Sequence, residues 1–78
     1  MRQTLKLPRL GDTAEDAVIL EWYRRPGDAV VAGEPLLRVE TNKAEVDIPS
    51  AVSGTLVDVL VADGDEIGVG VAIAVVEA

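Results

Sequence analysis

Residues 36–48 read LLRVETNKAEVDI and join two β-strand patterns through a short polar stretch. Apolar and charged residues alternate on both sides of that stretch, which is the period of a half-buried strand. Strands are predicted over residues 36–40 and 44–48. The three residues between them must reverse the chain, and Asn42 suits a turn because asparagine tolerates positive φ. The sequence therefore predicts a β-hairpin with Lys43 at its tip.

The rest of the chain is built from similar short strands, and two halves of it repeat. Residues 18–40 align with residues 55–77 at an offset of 37 residues. Five identical pairs support the alignment: Gly27/Gly64, Asp28/Asp65, Gly33/Gly70, Val39/Val76 and Glu40/Glu77. Each half then reads as strand, Gly-Asp turn, short strand, Gly turn and strand. This pattern predicts an all-β sandwich or barrel made of a pseudo-symmetric pair of packed antiparallel sheets.

Two further segments bear on the layout of the fold. Residues 11–17 show no apolar stripe at helical spacing and are predicted to form a surface loop. After Glu40 the chain continues into the hairpin tip, whereas only Ala78 follows Glu77. By the pseudo-symmetry, the tip and the chain termini are expected at opposite ends of the molecule.

Composition argues against several classes of function. A chain of 78 residues leaves little room for a deep substrate cleft. It contains no His and no Cys, so the commonest general base, a thiolate nucleophile and His or Cys zinc ligands are missing. A net charge of −7 disfavours binding to nucleic acids. No apolar run has the roughly 18 residues of a membrane span, and we expect a soluble, cytoplasmic, non-catalytic domain.

Lys43 is a candidate for modification rather than for catalysis. Lys43 and Lys6 are the two lysines of the chain. A lysine that acts as a general base has to be buried, and an exposed turn does not bury it. Most lysines at hairpin tips are simply solvated. An accessible, rigidly displayed amine is nevertheless well placed for acylation by a separate enzyme.

The tip resembles the lipoylation motif of lipoyl domains, the swinging-arm modules of 2-oxo acid dehydrogenase complexes. The matching motif is ETNKA at residues 40–44, and the similarity covers about residues 3–77. In that family a glycine usually lies sixteen residues before the modified lysine and another lies eleven residues after it. Gly27 and Gly54 occupy these two positions. Residues 7–12, 26–28 and 48–50 are similar to further landmarks of the family.

The residues on either side of Lys43 bear on the choice of cofactor. Lipoyl domains most often have Asp where this chain has Asn42, which keeps the shape but removes a charge. Biotin carrier domains share the fold but usually flank their lysine with Met on both sides. Asn42 and Ala44 therefore favour lipoate. A biotin carrier domain, and an unmodified structural domain of the kind found in membrane-efflux adaptor proteins, remain as alternatives.

The resemblance implies both a fold and a function. The fold is a flattened, hammerhead-type barrel of two four-stranded antiparallel sheets with pseudo-twofold symmetry. Residues 1–78 would form a single monomeric domain, the N-terminal part of a longer acyltransferase chain. A lipoate ligase or lipoyl transferase would attach lipoic acid to Lys43 through an amide. The arm would then serve a thiamine-dependent 2-oxo acid decarboxylase, an acyltransferase core and a dihydrolipoyl dehydrogenase, while the domain itself catalyses nothing.

By the same resemblance, partner recognition is expected at the tip and in the loop after the first strand. The residues implicated are Glu40, Thr41, Asn42, Ala44 and Glu45 at the tip, and Gly11, Asp12 and Thr13 in the loop. The charges of Glu40 and Glu45 are expected to favour docking to a basic partner entrance. Exposed charges on strands also commonly serve only solubility and edge protection, and this alternative stays open.

Overall fold

Eight β-strands form two four-stranded antiparallel sheets in the computed structural model, which describes residues 1–10 and 15–78. The strands are β1 (Arg2–Lys6), β2 (Asp16–Trp22), β3 (Ala29–Val30), β4 (Pro35–Glu40), β5 (Glu45–Pro49), β6 (Gly54–Val59), β7 (Glu66–Gly68) and β8 (Ala72–Glu77). One sheet has the order β1-β8-β6-β3, and the other has the order β5-β4-β2-β7. The predicted pair of antiparallel sheets is confirmed. Within the described residues, no helix is long and apolar enough to cross a membrane.

The sequence repeat is also a structural repeat. Strands β4 and β8 occupy equivalent places in the two sheets, as do β2 and β6. The short strands β3 and β7 cross over, because β3 follows β2 along the chain but pairs with β6, and β7 follows β6 but pairs with β2. Each half thus supplies an edge strand to the sheet of the other half, so neither half can complete its sheet alone.

Two equivalent glycines shape the turns that make this exchange possible. Gly27 and Gly64 have φ angles of 99° and 91°, a region that residues with a Cβ rarely adopt. The N–H of Gly27 donates to the carbonyl of Leu56 at 2.8 Å, and the N–H of Gly64 donates to the carbonyl of Ile19 at 2.7 Å. Each turn therefore hydrogen-bonds to the long strand of the other half.

The core between the sheets is aliphatic, as expected for a chain with no Phe. Its buried members are Leu5, Leu7, Ala17, Ile19, Val30, Leu36, Leu37, Val39, Ile48, Leu56, Ile73, Ala74 and Val76. Trp22 packs at the margin, where its Nε1 donates to the carbonyl of Val61 at 3.2 Å. Buried and more exposed residues alternate along much of β2, and several charged side chains of the strands face solvent.

Strand β2 is longer than the sequence pattern indicates. The sequence predicts a loop over residues 11–17, but in the structure β2 begins at Asp16. Ala17 is buried and pairs with Ile67 of β7. Because β7 is remote in sequence, the local pattern could not show this pairing. Residues 11–14 lie outside the described residues.

Strand β6 leads from one end of the molecule to the other. It begins beside the C-terminus, where Thr55 pairs with Glu77. The turn that follows β6 hydrogen-bonds to Ile19 of β2 through the N–H of Gly64. The residue before Ile19 is Val18, which pairs with Glu40 at the base of the hairpin tip. The tip and the chain termini therefore lie at opposite ends, in agreement with the arrangement expected from the repeat.

Candidate functional site

The candidate attachment site is the tip of the β4–β5 hairpin. Glu40 and Glu45 form the last paired rung of the two strands. Beyond this rung, the N–H of Thr41 donates to the carbonyl of Ala44 at 2.8 Å. Lys43 lies in the reversal and is exposed. The structure thus brings the predicted tip residues together on one short, hydrogen-bonded turn.

Thr41 closes this turn through its side chain. Its hydroxyl donates to the carbonyl of Ala44 at 3.0 Å and accepts from the N–H groups of Lys43 and Ala44 at 3.3 and 3.2 Å. A threonine at the start of a reversal can satisfy backbone donors in this way. Asn42 keeps a negative φ, since no non-glycine residue described has a positive one. The conformational tolerance of Asn42 is therefore not used, and it is Thr41 that organises the tip.

The side chain of Lys43 extends into solvent without a bound partner. In the described part of the chain, the ion pairs are Arg2–Glu77, Arg24–Glu34 and Arg38–Glu45. The backbone of Lys43 is held by the turn, but its Nζ has no hydrogen bond to a described residue. The site therefore combines a fixed backbone with an accessible amine.

An open, acidic groove of about 450 Å³ lies on one side of the tip, between β2, β4 and β7. Glu15, Asp16, Glu40 and Glu66 line it, together with Thr41 and Asn42 of the tip. None of these four carboxylates is in an ion pair with a described residue. The described residues contain no cluster arranged to hold a metal ion. The groove is therefore a negatively charged surface that reaches the hairpin tip at Thr41 and Asn42.

On the outer face of β4 and β5, by contrast, the charged side chains are engaged with one another. Arg38 Nε donates to Glu45 Oε1 at 3.0 Å, and the Tyr23 hydroxyl donates to Asp47 Oδ1 at 2.8 Å. The hydrogen bond to Asp47 raises the pKa of Tyr23, because the carboxylate favours the protonated phenol. The neighbouring Tyr23 hydroxyl and then the charge of Glu45 raise the pKa of Arg38. We call Tyr23, Asp47, Arg38 and Glu45 the outer-face network.

The two glycines that frame Lys43 in the sequence lie far from it in the fold. Gly27 bonds to Leu56 near the terminal end of β6. Gly54 lies so close to β8 that an added Cβ would collide with the backbone carbonyl of Glu77. The spacing of Gly27 and Gly54 around Lys43 therefore reflects the packing of the two halves of the fold and not the chemistry of the tip.

The loop residues expected to take part in recognition, Gly11, Asp12 and Thr13, lie outside the described residues. Sequence reasoning missed Asp16 and Glu66 as neighbours of the tip, because they reach it through the pairing of β2 with β7. Only Thr41 had a local signal for its role, since threonine is a common first residue of side-chain-closed turns.

Comparisons with known proteins agree with this architecture. A family model for biotin and lipoyl attachment domains, described as "Biotin-requiring enzyme", matches residues 3–76. This chain belongs to the biotin/lipoyl attachment-domain family. It is 35% identical over 78 residues to the dihydrolipoyllysine-residue succinyltransferase component of the 2-oxoglutarate dehydrogenase complex of Bartonella vinsonii subsp. berkhoffii, a match that covers 100% of this chain and 19% of that one.

A second relative is the dihydrolipoyllysine-residue acetyltransferase component of the pyruvate dehydrogenase complex of Corynebacterium glutamicum. The attachment domain is 40% identical to it over 70 residues, which cover 90% of this chain and 10% of that one. The resemblance to lipoyl domains that the tip motif indicates is confirmed by these matches. The chain spans less than a fifth of the length of either relative.

Two solved structures share the fold of the attachment domain. The lipoyl domain of the 2-oxoglutarate dehydrogenase complex from Azotobacter vinelandii superposes with a TM-score of 0.74 at 21% identity, covering 96% of this chain and 95% of that one. The urea carboxylase of Kluyveromyces lactis superposes with a TM-score of 0.73 at 25% identity, covering 96% of this chain and 7% of that one. The hammerhead-type barrel expected from the resemblance is thus confirmed.

Proposed function

We propose that this domain carries lipoic acid on Lys43 as the swinging arm of a 2-oxo acid dehydrogenase complex. The observation that carries the proposal is an exposed lysine without an ion-pair partner among the described residues, displayed on a side-chain-closed turn within the ETNKA motif. Both relatives described above are dihydrolipoyllysine-residue acyltransferases, which supports lipoate as the attached group.

The residues of the tip suit an amide-linked arm. An amide needs an accessible amine and no pocket, and Lys43 offers such an amine. When attached, lipoic acid supplies a dithiolane that can accept an acyl group and electrons. Thr41 holds the backbone of the turn, so that motion is confined to the lysine stem and the arm beyond it. The domain would then raise the local concentration of the arm at successive active sites, as a tether does.

The partners of such a carrier follow from its task. They are a thiamine-dependent 2-oxo acid decarboxylase, an acyltransferase core, a dihydrolipoyl dehydrogenase, and the ligase or transferase that attaches lipoate. The domain would be a non-catalytic, N-terminal part of a longer acyltransferase chain. The small share of each relative that it matches supports a longer parent chain. A partner with a basic entrance fits the carboxylates around the tip.

Among the two glutamates at the tip, Glu40 is the stronger candidate for recognition. Its carboxylate lines the open groove and has no ion-pair partner among the described residues, whereas Glu45 is held by Arg38. We therefore expect Glu40→Gln to raise the KM for the domain in reductive acylation more than Glu45→Gln does. If both variants kept the wild-type KM, neither charge would take part in recognition.

A biotin carrier domain is the second candidate. Both the description of the family and the shared fold with a urea carboxylase favour keeping it. The residues beside Lys43, Asn42 and Ala44, argue for lipoate instead, because biotin carriers usually have Met in both places. Lipoate and biotin ligases distinguish the two proposals directly.

The deciding experiment measures intact mass before and after incubation with lipoate, ATP and a lipoate ligase, and in parallel with biotin and a biotin ligase. Peptide mapping locates the modified residue, and Lys43→Arg serves as the control. One lipoyl group on Lys43, absent from the variant, is expected. Biotin addition alone would establish the alternative, and inertness to both ligases, when each modifies a known substrate domain, would overturn the carrier function.

A further inference from the structure

We propose that Arg38 is a positioning residue that holds the carboxylate of Glu45 away from Lys43 and so keeps the tip amine available for acylation. The inference rests on the proposed function only in taking Lys43 as the acylated residue. It concerns the outer-face network, which includes Glu45, the strand partner of Glu40.

Glu45 is close enough to Lys43 to compete for its ammonium group. Two residues of extended chain span about 7 Å at most, and long, flexible lysine and glutamate side chains can bridge that distance. In the structure, however, Glu45 Oε1 lies 3.0 Å from Arg38 Nε. Lys43 makes no ion pair with any residue in the described ranges.

Arg38 lies further from the turn than Glu45 does. In the backbone register it pairs across the hairpin with Asp47, two rungs further from the turn than the Glu40–Glu45 rung. Asp47 in turn accepts the hydrogen bond of the Tyr23 hydroxyl. An arginine can contact several oxygen atoms at once because its guanidinium carries five donors in a fixed plane. The network therefore draws Glu45 back along the sheet.

This placement matters because only a neutral amine attacks an acyl donor. A carboxylate next to an ammonium group stabilises the protonated, non-nucleophilic form. If Arg38 lost its charge, Glu45 would be released towards Lys43 and would slow the acylation of Lys43. Exposed ion pairs are weak, so the expected effect is about two- to threefold.

The test uses acetyl N-hydroxysuccinimide ester, which acylates lysines without any enzyme. The neutral amine attacks the ester carbonyl, the C–N bond forms as the C–O bond breaks, and N-hydroxysuccinimide leaves as its anion together with one proton from the amine. With limiting reagent, mass spectrometry gives the ratio of acetylated Lys43 to acetylated Lys6, the other exposed lysine of the same chain. Lys6 thus corrects every sample for reagent concentration and pH.

Four variants separate charge from structure. Arg38→Gln is expected to lower the Lys43/Lys6 ratio about two- to threefold. The ratio should return to the wild-type value in Arg38→Lys, which keeps the charge, and in Arg38→Gln combined with Glu45→Gln, which removes the competitor. Arg38→Gln combined with Glu40→Gln is the matched control and should recover less of the ratio than the variant that lacks Glu45, because Glu40 is not held by Arg38.

Two outcomes would overturn the inference. One is an unchanged ratio in Arg38→Gln, and the other is a reduced ratio that persists when Glu45 is also replaced. The reagent needs no ligase, so failure here is distinct from failure of lipoylation. A wild-type domain that a lipoate ligase does not modify would refute lipoylation of Lys43, while the acetylation ratios would still report on Arg38.

Discussion

Equivalent strand pairings at the two ends of the molecule carry different charges. The pair at the terminal end is oppositely charged, and the pair at the tip is like-charged. At the terminal end, Glu77 of β8 pairs with Arg2 of β1, and Arg2 Nε lies 2.8 Å from Glu77 Oε2. At the tip, the equivalent Glu40 of β4 pairs with Glu45 of β5. Like charges directly opposite each other destabilise a sheet, whereas opposite charges stabilise it. The terminal rung is thus arranged for stability, and the tip rung keeps negative charge at some cost to stability.

The ends also differ in what fixes the backbone. At the terminal end, close packing does so, because Gly54 leaves no space for a Cβ against the carbonyl of Glu77. At the tip, the backbone is fixed by the hydroxyl of Thr41. Tolerance to substitution should therefore be lowest at the terminal end, although the proposed chemistry takes place at the other.

The largest expected effect is at the terminal end. Gly54→Ala should lower the free energy of unfolding by about 2–3 kcal/mol, because the added methyl group forces β6 away from β8. Urea denaturation measures the change. Gly68→Ala is the control, since its nearest neighbour is the side-chain oxygen of Asp16 at 3.3 Å rather than a rigid backbone. Equal stability losses in both variants would contradict the proposed role of close packing.

At the tip, a substitution in the turn should cause a smaller loss of stability, confined to the turn itself. Thr41→Val should cost about 1 kcal/mol, because the hydrogen bonds of the hydroxyl are lost, and should speed amide hydrogen exchange at Lys43 and Ala44. Thr55→Val, on an exposed strand position at the terminal end, is the matched control. If the two variants gave the same exchange rates at the tip, Thr41 would not be what organises the turn.

The same substitution at the two equivalent rungs should have opposite signs. Glu40→Gln removes a like-charge pair and is expected to raise Tm slightly, whereas Glu77→Gln removes an ion pair and is expected to lower it slightly. Thermal unfolding of the two variants at low ionic strength makes this comparison. A Tm decrease in both would mean that Glu40 is stabilised by contacts other than its pairing with Glu45.

The smallest effect is the pH dependence of the terminal ion pair. The hydrogen bond and charge of Arg2 lower the pKa of Glu77 below its ordinary value of 4.5. A lowered pKa means that the stabilisation is fully present above pH 4.5 and is lost as the pH falls through the pKa of the folded state. The Tm difference between wild type and Glu77→Gln should therefore be constant near neutral pH and shrink in acid. A constant difference down to strongly acidic pH would assign it to something other than the charge of Glu77.

Much of the fold and the centre of the site could be predicted from local sequence. Alternation along residues 36–48 predicted the hairpin, and the glycine pairs at an offset of 37 residues predicted the two equivalent halves. The tip motif is contiguous, so its residues are neighbours in sequence as well as in space. Turn preferences and burial period are properties of a few adjacent residues, which is why a single sequence reveals them.

The surroundings of the site depended on long-range pairing. Strands β3 and β7 have two and three residues, too few to show a period, and their partners lie in the other half of the chain. The pairing of β7 with β2 brings Asp16 and Glu66 to the groove beside the tip. The diagonal contact of Arg38 with Glu45 likewise depends on the register of β4 and β5. Such contacts follow from the summed packing of both halves, which no local stretch of the sequence specifies.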